Sequence, residues 1–228
     1  MHFAHLVLGA LAAGTWLAAL AQVPPSPGEL AAYRGLFAAA ARGDAVEIAR
    51  LAAAGANPNA RDDHGRSPLH VAAYRSQVAA LRALVEAGAD PNALESDRYD
   101  IVTIAAVAGD LPTLKAALAL GASARNVTSR YDGTALIAAA HLGHAEVVVE
   151  LIRAGAPLDH VNNLGWTALI ESIVLGDGGP RHTATLAALV DAGADVNLGD
   201  RTGSTPLALA RARGYAAMVR RLEQAGAR

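Results

Sequence analysis

Between residues 55 and 227 of this 228-residue chain a Gly-Ala step recurs six times at near-regular spacing, and this spacing constrains the fold more than any other feature. The steps lie 33 to 38 residues apart, and their glycines are Gly55, Gly88, Gly121, Gly155, Gly193 and Gly226. Self-similarity with this period is typical of a solenoid, in which each unit buries its apolar face only against its neighbours. The sequence therefore predicts a stack of about six similar units.

Each unit reads as two short helices. A hydroxyl residue that can cap the first helix recurs in four units, at Ser67, Thr134, Thr167 and Thr205. Proline follows the cap in two of them, at Pro68 and Pro206, where its fixed φ suits the first helical position. A glycine is predicted to end the first helix in a left-handed conformation at Gly43, Gly109, Gly143, Gly176 and Gly214. Apolar residues at helical spacing then predict a second helix.

Four segments carry a resemblance to a known family. Residues 65–73 (GRSPLHVAA) and 203–210 (GSTPLALA) resemble the helix start of the ankyrin repeat, and residues 88–93 (GADPNA) and 193–197 (GADVN) resemble its end. The resemblance covers residues 29–228 and implies an all-α ankyrin-repeat solenoid of about six helix-turn-helix repeats with short β-hairpin fingers. The repeats are approximately 29–61, 62–94, 95–128, 129–161, 162–199 and 200–228.

Three repeats depart from the pattern. Arg98 and Asp132 stand where the fingers of the other repeats have glycine, and the fourth repeat has one extra residue nearby. The finger of the third repeat is therefore expected to be less regular. Five extra residues in the fifth repeat fall within residues 176–182, between its two helices, where a surface insertion costs little free energy. The first and sixth repeats read as caps.

The first 21 residues contain no Asp, Glu, Lys or Arg, and residues 6–21 form an almost unbroken apolar run. This length is short for a membrane-spanning helix and, with Ala19 and Ala21 before Gln22, is typical of a cleaved signal peptide. An uncleaved anchor stays open, because no Lys or Arg precedes the run. We expect export to a bacterial periplasm, with secretion as an alternative, a Pro-rich linker over residues 22–28 and no stable membrane insertion after cleavage.

Composition excludes several classes of protein. The chain has no cysteine, so it has neither disulfides nor thiolate-ligated metals. Its 19 basic and 21 acidic residues give a net charge of −2, which provides no global attraction to nucleic acid. We expect no nucleic-acid partner.

The side chains that could bind a metal or act in catalysis are better explained as structural residues of the repeats. His141 and His144 lie three apart with His160 nearby, but no carboxylate completes a metal set. One stretch could supply a catalytic acid, nucleophile and base: Asp62, Asp63, His64, Ser67 and His70. The same residues form the finger and the helix start of the second repeat. No catalytic or phosphate-binding motif is present. We expect no enzyme activity, metal or cofactor.

Aromatic and basic side chains converge at equivalent positions of the central repeats. In ankyrin-like folds the fingers and the first helices form the concave face, and the residues predicted there are Arg66, Tyr74, Arg75, Tyr99, Tyr131, His141 and Trp166. Trp, Tyr and Arg dominate the energetics of protein interfaces. The sequence therefore predicts a partner-binding face, although Tyr99 and Trp166 have an alternative interpretation as packing along their own fingers.

The function predicted is protein binding by an exported, monomeric solenoid that acts as an adaptor or stabiliser of another protein. An inhibitor or immunity-type protein that blocks a toxin or enzyme is the first alternative. An enzyme or ligand-binding protein that uses the fifth-repeat insertion as a lid is the second. That reading requires Asp177, Arg181 and His182 to converge in a pocket.

Overall fold

A computed structural model describes residues 22–228, and the predicted signal peptide, residues 1–21, lies outside them. The described residues contain a short first helix, α1 (Pro27–Ala32), followed by six helix pairs. The first helices of the pairs, called the inner helices, are α2 (Gly35–Arg42), α4 (Pro68–Tyr74), α6 (Ile101–Ala108), α8 (Ala135–Leu142), α10 (Ala168–Val174) and α12 (Pro206–Ala212). The second, outer helices are α3 (Ala45–Ala53), α5 (Val78–Glu86), α7 (Leu111–Ala119), α9 (Ala145–Arg153), α11 (Pro180–Asp191) and α13 (Ala216–Gln224).

The helices stack in two layers. Each inner helix packs against the inner helices of the neighbouring pairs, and each outer helix does the same in its own layer. The core runs between the layers, and many of its residues are alanines such as Ala72, Ala106 and Ala139, all fully buried. Small side chains let the inner helices approach closely. The predicted all-α solenoid of six repeats is confirmed, and no helix in residues 22–228 is long and apolar enough to span a membrane.

The inner helices begin largely as the sequence predicts. Pro68 and Pro206 occupy the first helical positions of α4 and α12. The hydroxyls of Thr134, Thr167 and Thr205 accept hydrogen bonds from the amides three residues on, at 3.2–3.3 Å. At the start of α4 the ring of His70 takes this place, because its Nδ1 lies 3.1 Å from the Ser67 amide and 2.8 Å from the Ser67 hydroxyl.

One predicted helix end is wrong. The left-handed caps expected at Gly43, Gly109 and Gly143 are present, but in the fifth repeat the left-handed glycine is Gly178, with φ +69°, and Gly176 does not have a positive φ. The insertion moves the turn two residues along the chain. Its outer helix, α11, is also longer than the others, with 12 residues where they have 9.

The fingers are tight turns. In four of the five fingers, a backbone amide donates a hydrogen bond to the carbonyl four residues later, as the amide of Asp62 does to Arg66. In the fourth finger the bond spans five residues, from the amide of Thr128 to the carbonyl of Gly133. That fourth finger therefore holds the extra residue. Its Thr128–Gly133 pair is an isolated antiparallel bridge, and residues 22–228 contain no longer strand.

Two fingers carry a side chain in the left-handed region. Arg98 has φ +66° and Asp132 φ +50°, at the position where the other three fingers have glycine. This conformation costs an L-residue about 1–2 kcal/mol. The third finger nevertheless keeps the same closing hydrogen bond as its neighbours, from the amide of Glu95 to the carbonyl of Tyr99 at 3.0 Å. The irregularity expected there is confined to this backbone strain.

A side chain at the start of an outer helix fastens its repeat to the preceding one. Nε2 of His144 lies 3.2 Å from the carbonyl oxygen of Val107, and Nε2 of His182 lies 2.9 Å from that of His141. The Tyr215 hydroxyl donates to the Gly176 carbonyl at 2.8 Å. These bonds all run backwards along the chain, from one repeat to the repeat before it.

Candidate binding surface

A pocket of about 40 Å³ lies at the middle of the concave face, where the third, fourth and fifth fingers meet the inner helices α6, α8 and α10. Buried residues that line it are Tyr99, Thr103, Thr128 and Glu171, and half-buried residues that line it are Tyr131, His141, Leu164 and Leu175. The volume is enough for the tip of one side chain. The pocket therefore offers a partner a small, shaped recess.

Three polar side chains in this pocket form a hydrogen-bonded chain. Glu171 on α10 is 4% exposed, and its Oε1 accepts from Nδ2 of Asn162 at 2.9 Å. Its Oε2 lies 3.1 Å from Nδ1 of His141. Because an ionised carboxylate only accepts hydrogen bonds, Nδ1 of His141 is assigned the proton. Asn162 is fixed in turn, since its Oδ1 accepts from the amides of Leu164 and Trp166 at 3.0 Å.

The two fingers beside the pocket are braced by reciprocal ion pairs. Nη1 of Arg98 lies 2.8 Å from Oδ1 of Asp132, and Nη2 of Arg130 lies 3.0 Å from Oδ1 of Asp97. Each finger thus contributes one cation and one anion. Arg98 and Asp132, two of the three non-glycine residues of these fingers held in left-handed backbone, form one of the pairs; the third is Ser129. Strained residues of this kind persist where the surrounding structure over-determines them, and they cluster at binding sites.

Five of the predicted residues lie on the accessible side of this surface. Tyr131 and His141 line the central pocket. Trp166 is half-buried in the fifth finger, Tyr74 is half-buried at the end of α4, and Arg75, which follows it, is exposed. The structure therefore groups Tyr131 and His141 in the central pocket, whereas Arg75 lines a separate groove with residues of α1 and α2.

The structure corrects the prediction that Arg66 lies on the partner-binding face. Its side chain is 1% exposed, because the segment before the first repeat lies over it. Nε of Arg66 donates to Oδ2 of Asp62 at 2.7 Å, Nη1 donates to the carbonyl of Val23 at 3.2 Å, and Nη2 pairs with Glu29. The guanidinium joins the N-terminal segment to the second finger and is not presented to a partner.

The structure also corrects the predicted position of Tyr99. It is 4% exposed and belongs to the hydrophobic core, although the sequence placed it on the exposed part of the third finger. Burial raises the pKa of its hydroxyl. Tyr99 thus forms part of the buried lining of the pocket, and its removal would disturb packing as well as any bound group.

The comparisons with known proteins agree with this architecture. The family model for ankyrin repeats in three copies matches residues 25–95 and 102–200. The chain belongs to the ankyrin repeat family. A solved ankyrin repeat domain from Acinetobacter baumannii AYE is 43% identical, with a TM-score of 0.80 over 85% of this chain and 98% of that one. The ankyrin repeat domain of Bcl-3, a member of the IκB protein family, is 28% identical, with a TM-score of 0.77 over 86% of this chain and 87% of that one.

A curated relative matches a shorter part of the chain than the solved structures do. YahD of Escherichia coli strain K12, which carries the name of an ankyrin repeat protein, is 40% identical over 103 residues. The match covers 45% of this chain, and it spans about half the length of that relative. Ankyrin repeats are generally protein–protein interaction modules.

Sequence reasoning missed Glu171 and Asn162, the two buried polar members of the pocket. It compared the finger tips with the positions five and six residues after the apolar residue that opens each inner helix, and Glu171 lies only two residues after that residue, Leu169. A signal was present nonetheless. Glu171 is the one charged residue in the largely apolar segment ALIESIV, residues 168–174. A lone carboxylate there has to be hydrogen-bonded, because burying it without a partner is costly.

The other candidate groups hold the ankyrin stack together. His70 is fully buried, and its Nε2 lies 3.0 Å from the Ala93 carbonyl. Burial lowers its pKa to about 4, so it is neutral at pH 7. Nε2 of His160 lies 2.6 Å from the Asp132 carbonyl. Within residues 22–228 no three His, Asp or Glu side chains are grouped so that they could hold a metal ion.

The fifth-repeat insertion packs against its neighbours. Oδ1 of Asp177 accepts from the Gly179 amide at 2.9 Å and lies 2.8 Å from Nδ1 of His182. These contacts lower the pKa of the Asp177 carboxyl, the amide bond most. Arg181 donates to the carbonyl of Leu142 in the preceding repeat. Asp177 therefore bonds within its own repeat, Arg181 and His182 tie that repeat to the preceding one, and none of the three lines the central pocket.

Proposed function

We propose that this protein is an exported, non-catalytic binding module that holds a segment of a partner protein on its concave face, as an adaptor or stabiliser. The observation that carries the proposal is the central pocket, which combines apolar and aromatic walls with a fixed hydrogen-bonding group. Interfaces draw most of their energy from a few such recesses surrounded by near-neutral contacts. Membership of the ankyrin repeat family supports the class of partner.

The hydrogen bonds that fix the finger beside the pocket support this role. Leu164 and Trp166 are attached through their amides to Asn162, which is itself bonded to Glu171. A finger whose backbone is fixed in this way needs little further ordering on binding, and preorganisation raises affinity mainly by reducing that cost. The ion pairs between the third and fourth fingers act in the same direction.

Export is part of the proposal. It is supported by residues 1–21, which contain no acidic or basic side chain, and by small residues at Ala19 and Ala21. The absence of cysteine suits an oxidising compartment. Cell fractionation and N-terminal sequencing test it: mature protein in the periplasm that begins at Gln22 supports export, and full-length protein in the cytoplasm refutes it.

The binding role is tested by affinity capture from the envelope fraction of the native organism. The bait is compared with a double variant, Tyr131→Ala with Trp166→Ala, and with a control variant, Val46→Ala, whose side chain is 82% exposed on the outer helix α3. We expect one protein to be retained by the wild type and the control and lost by the double variant, while circular dichroism shows all three baits to be equally helical.

Each other outcome has a meaning. Equal retention by all three baits contradicts the assignment to the concave face. Retention of an enzyme whose activity falls on binding identifies an inhibitor in place of an adaptor. Retention of no protein by any bait, at bait concentrations well above a micromolar dissociation constant, contradicts the proposed function itself.

A further inference from the structure

The central pocket has a one-sided charge. Among the described residues that line it there is no Lys or Arg, and its one carboxylate, on Glu171, is paired only with His141 and with the neutral amide of Asn162. A buried carboxylate is ordinarily paired with a cation or saturated with donors. Two donors leave the remaining lone pairs of both Glu171 oxygens unused.

The groups around this carboxylate also accept hydrogen bonds. In the tautomer of His141 that donates from Nδ1, Nε2 carries a lone pair. The rings of Tyr99 and Tyr131 line the same pocket, and aromatic faces attract cations within about 6 Å. The recess therefore joins a carboxylate, an imidazole acceptor and two π systems within about 40 Å³.

Charges on the neighbouring fingers do not cancel this bias. Glu95 is buried, and its carboxylate accepts from the backbone amides of Asp97 and Tyr99, both at 2.9 Å. Arg98 and Arg130, on the third and fourth fingers, are each committed to an aspartate of the facing finger. Arg201 packs against Gly165 of the fifth finger, where it donates to the exposed carbonyl of Asn163, and it does not line the pocket. With those two pairs neutral and Arg201 outside the lining, the pocket itself holds the carboxylate of Glu171 and no Lys or Arg to balance it.

We propose that this pocket is a socket for one basic side chain, a lysine or arginine, of the protein partner. The inference rests on the proposed function, because it names the chemistry by which the concave face recognises that partner. The cationic tip enters between Tyr131 and Leu164, its methylene groups contact the apolar wall, and its charge lies against Glu171. His141 acts as the second acceptor, held in position by Glu171.

The test is an NMR titration of the purified protein with small probes, followed through the amide signals of Leu164 and Leu175. The cations are n-butylammonium and ethylguanidinium, the uncharged isostere is 1-butanol and the anion is butyrate. We expect saturable shifts with the cations, affinity lower by about tenfold for butanol, which corresponds to one charge-assisted hydrogen bond, and no saturation with butyrate.

Matched variants separate charge from shape. Glu171→Gln keeps the size of the side chain and is expected to lose the preference for cations over butanol, and Glu86→Gln, on the exposed end of the outer helix α5, is expected to keep it. If Glu171→Gln does not fold, Tyr131→Leu replaces it: this half-buried position keeps an apolar rim and loses the π face, so cation affinity should fall several-fold while butanol affinity does not.

Opposite results overturn the proposal. Butanol or butyrate bound as tightly as the cations, or a preference for cations unchanged in both variants, would refute the socket. The proposed function fails separately. A captured partner that depends on the concave face, found together with no preference for cations, refutes the socket alone, whereas saturable cation binding with no captured partner refutes the protein-binding function.

Discussion

Replacing Arg66 by methionine tests whether this arginine holds the protein together or serves a partner. Met fills a similar volume without charge, so the change removes the guanidinium and little of the packing. The donors lost are those to the Asp62 carboxylate, the Glu29 carboxylate and the Val23 carbonyl. Asp62 keeps the Tyr33 hydroxyl at 2.6 Å.

The expected cost follows from these contacts. A hydrogen bond to a charged group contributes about 1.5–3 kcal/mol, and breaking a fully buried pair costs about 3–5 kcal/mol. Asp62 and Glu29 are partly exposed, with side chains 12% and 30% accessible, so solvent screens part of the loss. We expect Arg66→Met to destabilise the protein by about 2–4 kcal/mol, a fall in Tm of about 5–10 °C for a chain of this size.

Thermal melting by circular dichroism measures this cost, and hydrogen exchange locates it. We expect faster exchange over residues 22–33, the segment that Arg66 ties to the second finger, and unchanged exchange in the fifth and sixth repeats. Arg82→Met, at an exposed position on α5, is the control. An unchanged Tm and unchanged exchange, together with weaker partner binding, would refute the structural role assigned to Arg66 and restore it to the binding surface.

Three further changes have defined outcomes. Ala139→Leu forces a larger side chain between inner helices where Ala139 is fully buried, and should cost about 1–3 kcal/mol in urea denaturation; an unchanged midpoint would contradict the register of the stack. Burial lowers the pKa of His70 to about 4 from an ordinary 6.5, so the unfolded chain binds a proton first as the pH falls. Stability should therefore fall between pH 6.5 and pH 4, and His70→Gln should flatten this dependence; equal slopes in denaturation series would exclude His70 as its source. Gly178→Ala places a Cβ 2.4 Å from the ring of Tyr215 at φ +69°, whereas Gly214→Ala meets the same backbone with open space around it, so Gly178→Ala should lower the Tm more; equal losses would show that only the backbone matters.

The repeat pattern predicted the helix pairs because it depends on local chemistry. Proline at the first helical position and alanines at helical spacing act within one repeat, so Pro68 and Ala139 could be placed without knowledge of their neighbours. The turn of the fifth repeat could not. Residues 176–179 offer three glycines, and the choice between Gly176 and Gly178 is made by Tyr215, one repeat further along, whose ring lies on Gly178 and whose hydroxyl holds the carbonyl of Gly176.

The difference between local chemistry and contacts with distant segments also explains which residues of the candidate site could be predicted. The register brought Tyr131 and His141 to the pocket because equivalent positions of successive repeats line one face. It also selected Arg66, since position within a repeat does not show that Val23 and Glu29, about forty residues earlier, cover that side chain. Burial by a distant segment is a tertiary property. A sequence pattern gives the face on which a residue lies and not what else lies over it.

The backward contacts between repeats give the molecule a direction. His144 closes over Gly109, His182 over Gly143 and Tyr215 over Gly178, so in each case the later repeat supplies the group and the earlier repeat receives it. A chain that emerges from the ribosome or a translocation channel with its N-terminus first therefore presents each repeat with its receiving turn still uncovered. Each arriving repeat then seals the one before it. The order of synthesis is also the order in which these contacts can form.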